Sequence, residues 1–235
     1  MNLKTFLDML TEVELSQHVF GMLDEEAKLF KQYELINLIN LGLEHLHTRF
    51  LIKKGELRIS VGHNLRYRHD ITNEDYILTP DVPLNIIKVL EVWDECGNRV
   101  QMNTHHRSRA EYTNKEEPVQ MVTNTLLQFD NCHGCYTIIF HAGPKLIKKP
   151  ATIKSFKPEV LELDISLEYI DALIYYVASR IFSVTLPMEG NAAQFSPGIL
   201  YSSKFEQECE RLLKLNLEIE GVEDTSQRFH DSMFP

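Results

Sequence analysis

The segment LINLINLGLEHLHTRF, residues 35–50, has the apolar spacing of a buried α-helix. Most of its leucines and isoleucines recur every three or four residues, so they share one wide face of a helix that begins near Ala27. Asn37, Asn40 and Gly42 interrupt this face. Such residues occur either at a close contact between helices or at a polar subunit interface. An apolar face this wide predicts a helix packed against other helices.

A second helical region lies far along the chain, at 166–217. One helix is predicted to begin at Ser166, as its N-cap, and another at Ser203, whose hydroxyl forms a capping box with Glu206. Gly221 is expected to end the last helix. Because these helices are distant in sequence from the first one, they bury their apolar faces only if the two ends of the chain meet.

Between the helices the apolar period changes to two, which is typical of β-strands. Strands are predicted at LRISV (57–61), DYILT (75–79), IIKVLEVW (86–93), VQMVTNTLLQF (119–129) and CYTIIF (135–140). The residues Lys53-Lys54-Gly55 are expected to end the preceding helix. A turn is predicted at 96–98, and a hairpin turn at 130–134, with Gly134 at positive φ, joins the last two strands. The polar segment 103–118 is expected to be an exposed loop or arm.

These patterns predict an α+β fold, with a helical bundle built from the N- and C-terminal helices and an inserted β-rich domain. We expect the bundle to comprise residues 1–55 and 160–219, and the insertion to comprise 56–159. Residues 220–235 are expected to form a C-terminal tail. With 235 residues, of which 43% are hydrophobic, the chain is long enough to bury a substantial core.

The composition narrows the classes of partner. A net charge of −10 disfavours a protein that grips DNA, because DNA affinity comes largely from Lys and Arg that neutralise phosphates. An acidic surface instead suits a protein that must stay soluble, or one that lets DNA pass without specific binding. No run approaches the ~20 apolar residues of a membrane span, and Asp8 and Glu12 lie where a secretory signal is apolar. The four cysteines are ordinary for a reducing compartment.

Few motifs suggest chemistry. Cys132 and Cys135 form a CxxC pair, but a structural zinc site needs a second pair of ligands, and a turn is the simpler interpretation. The segment HHRSR (105–109) has the charge to contact phosphate or an acidic partner, and a solvated loop is the simpler interpretation. The sequence contains no glycine-rich phosphate loop, no GxSxG and no HExxH. It therefore predicts no cofactor and no enzymatic activity.

The order of parts resembles the head-to-tail adaptor, or connector, proteins of tailed bacteriophages, of the tail tubular protein A type. The resemblance covers most of residues 25–219. It lies in LINLINLGLEHLHTRF (35–50), YILTPDVP (76–83), LEYIDALIYYVASRIFSVTLPMEGN (167–191) and SSKFEQECERLLKLNLE (202–218). Its most specific part is the aromatic-rich helix with ASRIF (178–182), followed by a loop and a Glu-rich helix.

This resemblance implies a structural virion protein without catalytic residues. Such proteins form a ring, typically of twelve subunits, between the phage portal and the tail or nozzle proteins. DNA passes through the ring during genome ejection. The protein would be made in the host cytoplasm and end in the neck of the virion, with no membrane attachment.

Particular residues receive roles from this interpretation. The C-terminal segment of family members docks on the portal, and a frayed terminus is the alternative for this chain. The expected anchors are the late apolar residues Phe229, Met233 and Phe234. Lateral contacts between subunits are expected at Asn37, Tyr169 and Tyr175, because tyrosine combines apolar area with a polar tip.

Two other functions stay open on the sequence alone. The first is a different structural component of the tail or neck, such as a tail completion or nozzle protein. The second is a small intracellular enzyme that uses a cleft between the bundle and the β-rich region. The first differs from an adaptor in the neighbour that 220–235 contacts, and the second differs in binding a small molecule without assembling.

Overall fold

A computed structural model of the chain describes most of the helical and strand regions. The described residues are 1–11, 25–61, 67–70, 85–100, 102–103, 119–121, 123–124, 126–129, 134–185 and 197–231. They contain both helices and antiparallel sheet, so the α+β class predicted from the sequence is confirmed. The chain divides into two compact units. We call Met1–Leu46 with Leu146–Pro235 the helical unit, and His47–Lys145 the strand unit.

The helices are built from the two ends of the chain. Their bounds are α1 Leu3–Met9, α2 Glu25–Arg49, α3 Ile170–Thr185 and α4 Pro197–Asp231. Helix α3 is buried on most of its circumference, which suits its high apolar content. Helix α4 presents Phe205, Cys209 and Leu212 inward at helical spacing.

Helices α2 and α3 come into close contact at Gly42. A Cβ atom at this position would lie 2.6 Å from Leu173 Cδ1 and 2.9 Å from Tyr176 Cδ1. Both of those side chains are buried, so neither moves aside without disturbing its own packing. Of the two interpretations of Gly42 that the sequence left open, the structure supports a close helix contact.

The strands form two four-stranded sheets in the described part of the chain. Their bounds are β1 Lys54–Val61, β2 Tyr67–Asp70, β3 Ile86–Trp93, β4 Arg99–Val100, β5 Met102–Asn103, β6 Val119–Met121, β7 Leu126–Phe129 and β8 Gly134–Ala142. One sheet has the order β1-β8-β3-β4 and the other β2-β7-β6-β5. The pairs are antiparallel except β5 with β6, which is parallel.

One apolar core joins the two sheets of the strand unit. Alternate residues of β1 and β8, including Ile59 and Ile138, point into it, while their neighbours face away. The second sheet contributes Val119, Leu127 and Phe129. The rings of Phe129 and Tyr136 lie 4.9 Å apart, so the contact between the sheets includes an aromatic pair.

Three predictions for the region between the helices require correction. The run 119–129 is two strands, β6 and β7, because the chain turns at Thr123, whose hydroxyl accepts a hydrogen bond from the Leu126 amide at 3.0 Å. The hairpin predicted at 130–134 is wrong, since β7 and β8 lie in different sheets, although Gly134 does have a positive φ of 128°. Lys54 and Gly55 do not end a helix, because both already pair with β8.

The remaining predictions for the strand region are either confirmed or concern residues that the structure does not describe. Strands β1, β3 and β8 form where the sequence places them. The turn predicted at 96–98 is confirmed, with Gly97 at φ 80° and Asp94 accepting hydrogen bonds from the amides of Cys96 and Asn98. Strand β2 was not predicted. The predicted strand 75–79 and nearly all of the arm at 103–118 lie outside the described residues.

The predicted helix ends also require correction. Ser166 precedes a short 3-10 turn at Leu167–Tyr169 and makes no side-chain cap hydrogen bond there, so α3 begins at Ile170. Helix α4 begins at Pro197, six residues before the predicted start, which leaves Ser203 inside the helix rather than at its cap. Proline suits a first helical position, because its missing N–H has no partner there in any case. Gly221 does not end α4, which continues to Asp231.

Candidate assembly surface

One side of helix α2 faces solvent along most of its length. We call this side the α2 stripe, and it consists of Phe30, Glu34, Asn37, Leu41, Glu44 and Thr48. These residues are spaced by three or four, so they lie on one face, opposite the buried stripe of the same helix. Phe30 is 47% exposed and Leu41 51% exposed, which places two large apolar side chains among polar ones.

The three residues that interrupt the apolar pattern of α2 have three different roles. Gly42 makes the close contact with α3 described above. Asn40 donates from its side-chain nitrogen to the Ile147 carbonyl and accepts from the Ile147 amide, both at 2.9 Å. This pair of bonds holds the chain where it returns to the helical unit. Only Asn37 lies on the α2 stripe, so among these three it alone is placed to contact another molecule.

The two tyrosines predicted for lateral contacts differ in their surroundings. Tyr169 is 3% exposed, so its side chain packs inside the protein and the prediction of a surface contact is wrong for this residue. Tyr175 is half-buried, and the Lys204 ammonium lies 5.3 Å from its ring centre. Tyr175 of α3 therefore contacts Lys204 of α4, whose ammonium also lies 4.8 Å from the ring centre of Tyr201.

No model of a known protein family matches the chain, and no characterised protein matches its sequence significantly. The candidate surface is therefore assigned from the geometry of the chain itself. Asn37 was predicted from the sequence as a contact residue, whereas Phe30 and Leu41 were not. Phe30 lies seven residues before Asn37 and Leu41 four residues after it, on the side away from the buried leucines. This spacing is the sequence signal that identifies them.

The predicted C-terminal anchors lie at and beyond the end of α4. Residue 229 lies within the helix, which ends at Asp231, whereas Met233 and Phe234 lie outside the described residues. The segment 220–231 is thus helical. Nearer its start, α4 exposes Ile199 and Leu200, at 56% and 57%.

Few side chains that could bind a metal or react chemically occur in the part of the chain that the structure describes. Cys135 is exposed with a free thiol, and Cys132 lies outside the described residues, as does the segment 105–109. No group of three His, Cys, Asp or Glu side chains close enough to hold a metal ion occurs among the described residues. The helices that are described include none long and apolar enough to cross a membrane.

The electrostatics near the surface are local. Hydrogen bonds from the backbone and side chain of Asn98 lower the pKa of the Asp94 carboxyl group, where burial is slight. On α4 the carboxylate of Glu208 accepts hydrogen bonds from Arg211, which raises the pKa of the guanidinium above its ordinary value. Both effects stabilise local structure, a turn in one case and a helical turn in the other, and neither marks a reactive group.

Proposed function

We propose that this protein is a head-to-tail adaptor of a tailed bacteriophage, which forms a ring between the portal and the tail or nozzle proteins. In this proposal the helical unit is a bundle that builds the ring, and the strand unit is an inserted domain that reaches toward the tail. The ring leaves a passage for DNA and binds no particular DNA sequence. The protein acts in the neck of the virion after synthesis in the host cytoplasm.

The observation that carries the proposal is the division of the chain. Both ends of the chain form the helical unit, while His47–Lys145 forms a second unit with its own apolar core. This is the order of parts for which the sequence resembles the adaptor family. A scaffold of this kind presents one unit to neighbouring copies and keeps the other free for a different partner.

The α2 stripe supports lateral contacts between subunits. A ring requires each subunit to contact the next through two different surfaces, so an exposed helix face with apolar residues is a suitable half of that contact. Phe30 and Leu41 supply apolar area, and Asn37 between them supplies hydrogen-bonding groups. Tyr169 has no place in this contact because it is buried.

The charge of the chain is compatible with a passage for DNA. At −10 per subunit, a ring of about twelve copies is strongly acidic, and like charge keeps a DNA duplex from adhering to the wall. Weak adhesion is an advantage for a channel through which a genome must move.

Deleting residues 222–235 should weaken attachment to the portal while leaving the fold of the rest of the chain intact. The deletion removes the end of α4 and all three proposed anchors, of which Phe229 lies within the helix. An apolar anchor at an interface contributes about 2 kcal/mol, so the loss of even one of the three should lower portal affinity by about thirtyfold, and the loss of all three should lower it further. Native mass spectrometry of the chain mixed with purified portal protein measures this attachment.

A matched variant separates the anchors from the length of the segment. Replacing Phe229, Met233 and Phe234 together by serine should reproduce the loss, whereas replacing Ser226 and Gln227 by alanine should leave attachment unchanged. Full attachment after the deletion would show that this segment does not bind the portal. If 220–235 instead crosslinks only to tail proteins, the chain is a tail completion or nozzle component rather than an adaptor.

A further inference from the structure

Two buried histidines lie together in the strand unit. His47 is fully buried in the last turn of α2, and His141 on β8 is 8% exposed. His141 faces away from the core between the sheets, because its neighbours Phe140 and Ala142 point into that core. The last turn of α2 and the residues that follow it cover this outer face of β8.

Two contacts to Ala142, the residue after His141, fasten the covering segment to β8. His47 Nδ1 lies 3.3 Å from the carbonyl oxygen of Ala142. The amide of Ala142 donates to the carbonyl oxygen of Lys53 at 2.9 Å. The segment 47–53 is therefore tied to β8 at both its ends, and the ring of His141 lies beneath it.

The Nε2 atom of His141 is buried and has no hydrogen-bond partner among the described residues. In the neutral ring this nitrogen can be left as an acceptor, and an unpaired acceptor costs less than an unpaired charge. Protonation would place an N–H donor with a positive charge at the same buried atom. Without an acceptor, the imidazolium form of His141 is disfavoured in the folded protein.

The charged groups around His141 do not favour its protonation either. Lys54 on β1 and Lys88 on β3 are its direct cross-strand partners, so both bases share its face of the sheet. The carboxylates Glu56 and Glu91 face the same way but lie opposite Ile139, one row further along.

The covering segment adds cationic groups rather than carboxylates. Its titratable and charged residues are His47, Arg49 and Lys53, and the guanidinium of Arg49 lies 6.0 Å from the centre of the Phe50 ring. None of these groups offers a negative charge to an imidazolium ring.

We propose that His141, buried beside His47 and beneath the segment 47–53, acts as an acid-sensitive latch, which holds this segment on β8 while the His141 ring is neutral and releases it when that ring takes up a proton. The latch does not depend on the proposed function, because it lies within the strand unit. It would make the connection after α2 the part of this unit that opens first in acid.

The direction of the pH dependence follows from His141. Burial lowers its pKa, and the nearby His47 lowers it further, against hydrogen bonding with the backbone of Phe50 and His47, which raises it. A group whose pKa is lower in the folded than in the unfolded protein binds fewer protons when folded. Its stabilising effect is therefore complete above the ordinary histidine value of 6.5 and is lost as the pH falls below it.

Hydrogen exchange of the full chain tests the latch directly. After correction for the intrinsic rate, amides in 47–53 and 139–142 should exchange faster at about pH 5.5 than at about pH 7.5. The melting temperature of the strand unit should fall by about 5 °C over the same range. His141→Gln, which carries no titrating group, should remove most of this difference, whereas His45→Gln, at an exposed histidine of α2, should leave it unchanged.

A second measurement keeps the test decisive if His141→Gln does not fold. Ring signals of the wild-type histidines, followed by NMR, should show His141 titrating below 6.5, with the Ala142 amide shifting along the same curve. Titration of His141 at or above 6.5 would overturn the latch. So would exchange in 47–53 that is the same at both pH values.

Discussion

Replacing Leu41 by aspartate should separate the proposed ring into single subunits that keep their native helix content. Leu41 is half exposed at the middle of the α2 stripe, so its side chain is not needed for the core of its own subunit. A carboxylate placed within an apolar contact loses its water without gaining a partner, which costs about 2 kcal/mol or more at each interface. That loss weakens each contact by about thirtyfold, and it is repeated at every interface of a ring.

Native mass spectrometry at a fixed protein concentration measures this change. Val160→Asp is the matched control, because Val160 is 74% exposed but lies in a turn outside the α2 stripe. The control should assemble as the wild type does. Equal assembly by Leu41→Asp and the wild type would show that the α2 stripe is not the lateral contact.

Gly42→Val should destabilise the helical unit by about 3 kcal/mol, the upper part of the usual range for overpacking a core. The first atom of any side chain at Gly42 would lie 2.6 Å from Leu173 Cδ1, well inside the contact distance. Since Leu173 and Tyr176 are both buried, the helices must move apart to admit the new atoms. The gain in helix propensity over glycine, about 0.5 kcal/mol, offsets only part of this cost.

Denaturant unfolding distinguishes the two units in this experiment. Circular dichroism at the helix band follows the helical unit, while the single tryptophan, Trp93, reports on the strand unit. The helix signal of Gly42→Val should unfold at a lower denaturant concentration, and the Trp93 signal should shift less. Glu34→Val places the same side chain on the exposed side of α2 and should change stability little. A Gly42→Val protein as stable as the wild type would contradict the close contact of α2 and α3.

The positions of the helices and strands could be predicted from the sequence better than the way in which the strands pair. Helical and strand periods are local signals, and they located α2, β1, β3 and β8. The run 119–129 shows where local signals fail. Its residues all suit a strand, and only the pairing of β6 with β7 reveals the turn at Thr123. The separation of β7 and β8 into different sheets is likewise a property of distant contacts.

The candidate site was predictable to a similar degree. The polar interruption at Asn37 was visible in the sequence, but its meaning depended on which side of α2 is covered, and Asn40 and Gly42 proved to serve internal contacts. Tyr169 was misassigned because its neighbours in sequence do not show that it is buried. The burial of His141 could not be predicted from its neighbours in sequence, because the last turn of α2, far away along the chain, forms its environment.

An electron micrograph of the purified full-length protein tests the central claim most directly, because a ring is visible without any partner or label. The account predicts closed rings of uniform size, with a central opening and a number of subunits near twelve. Native mass spectrometry of the same sample gives the number of copies. A protein that stays monomeric at high concentration, and also in the presence of portal protein, would contradict the account.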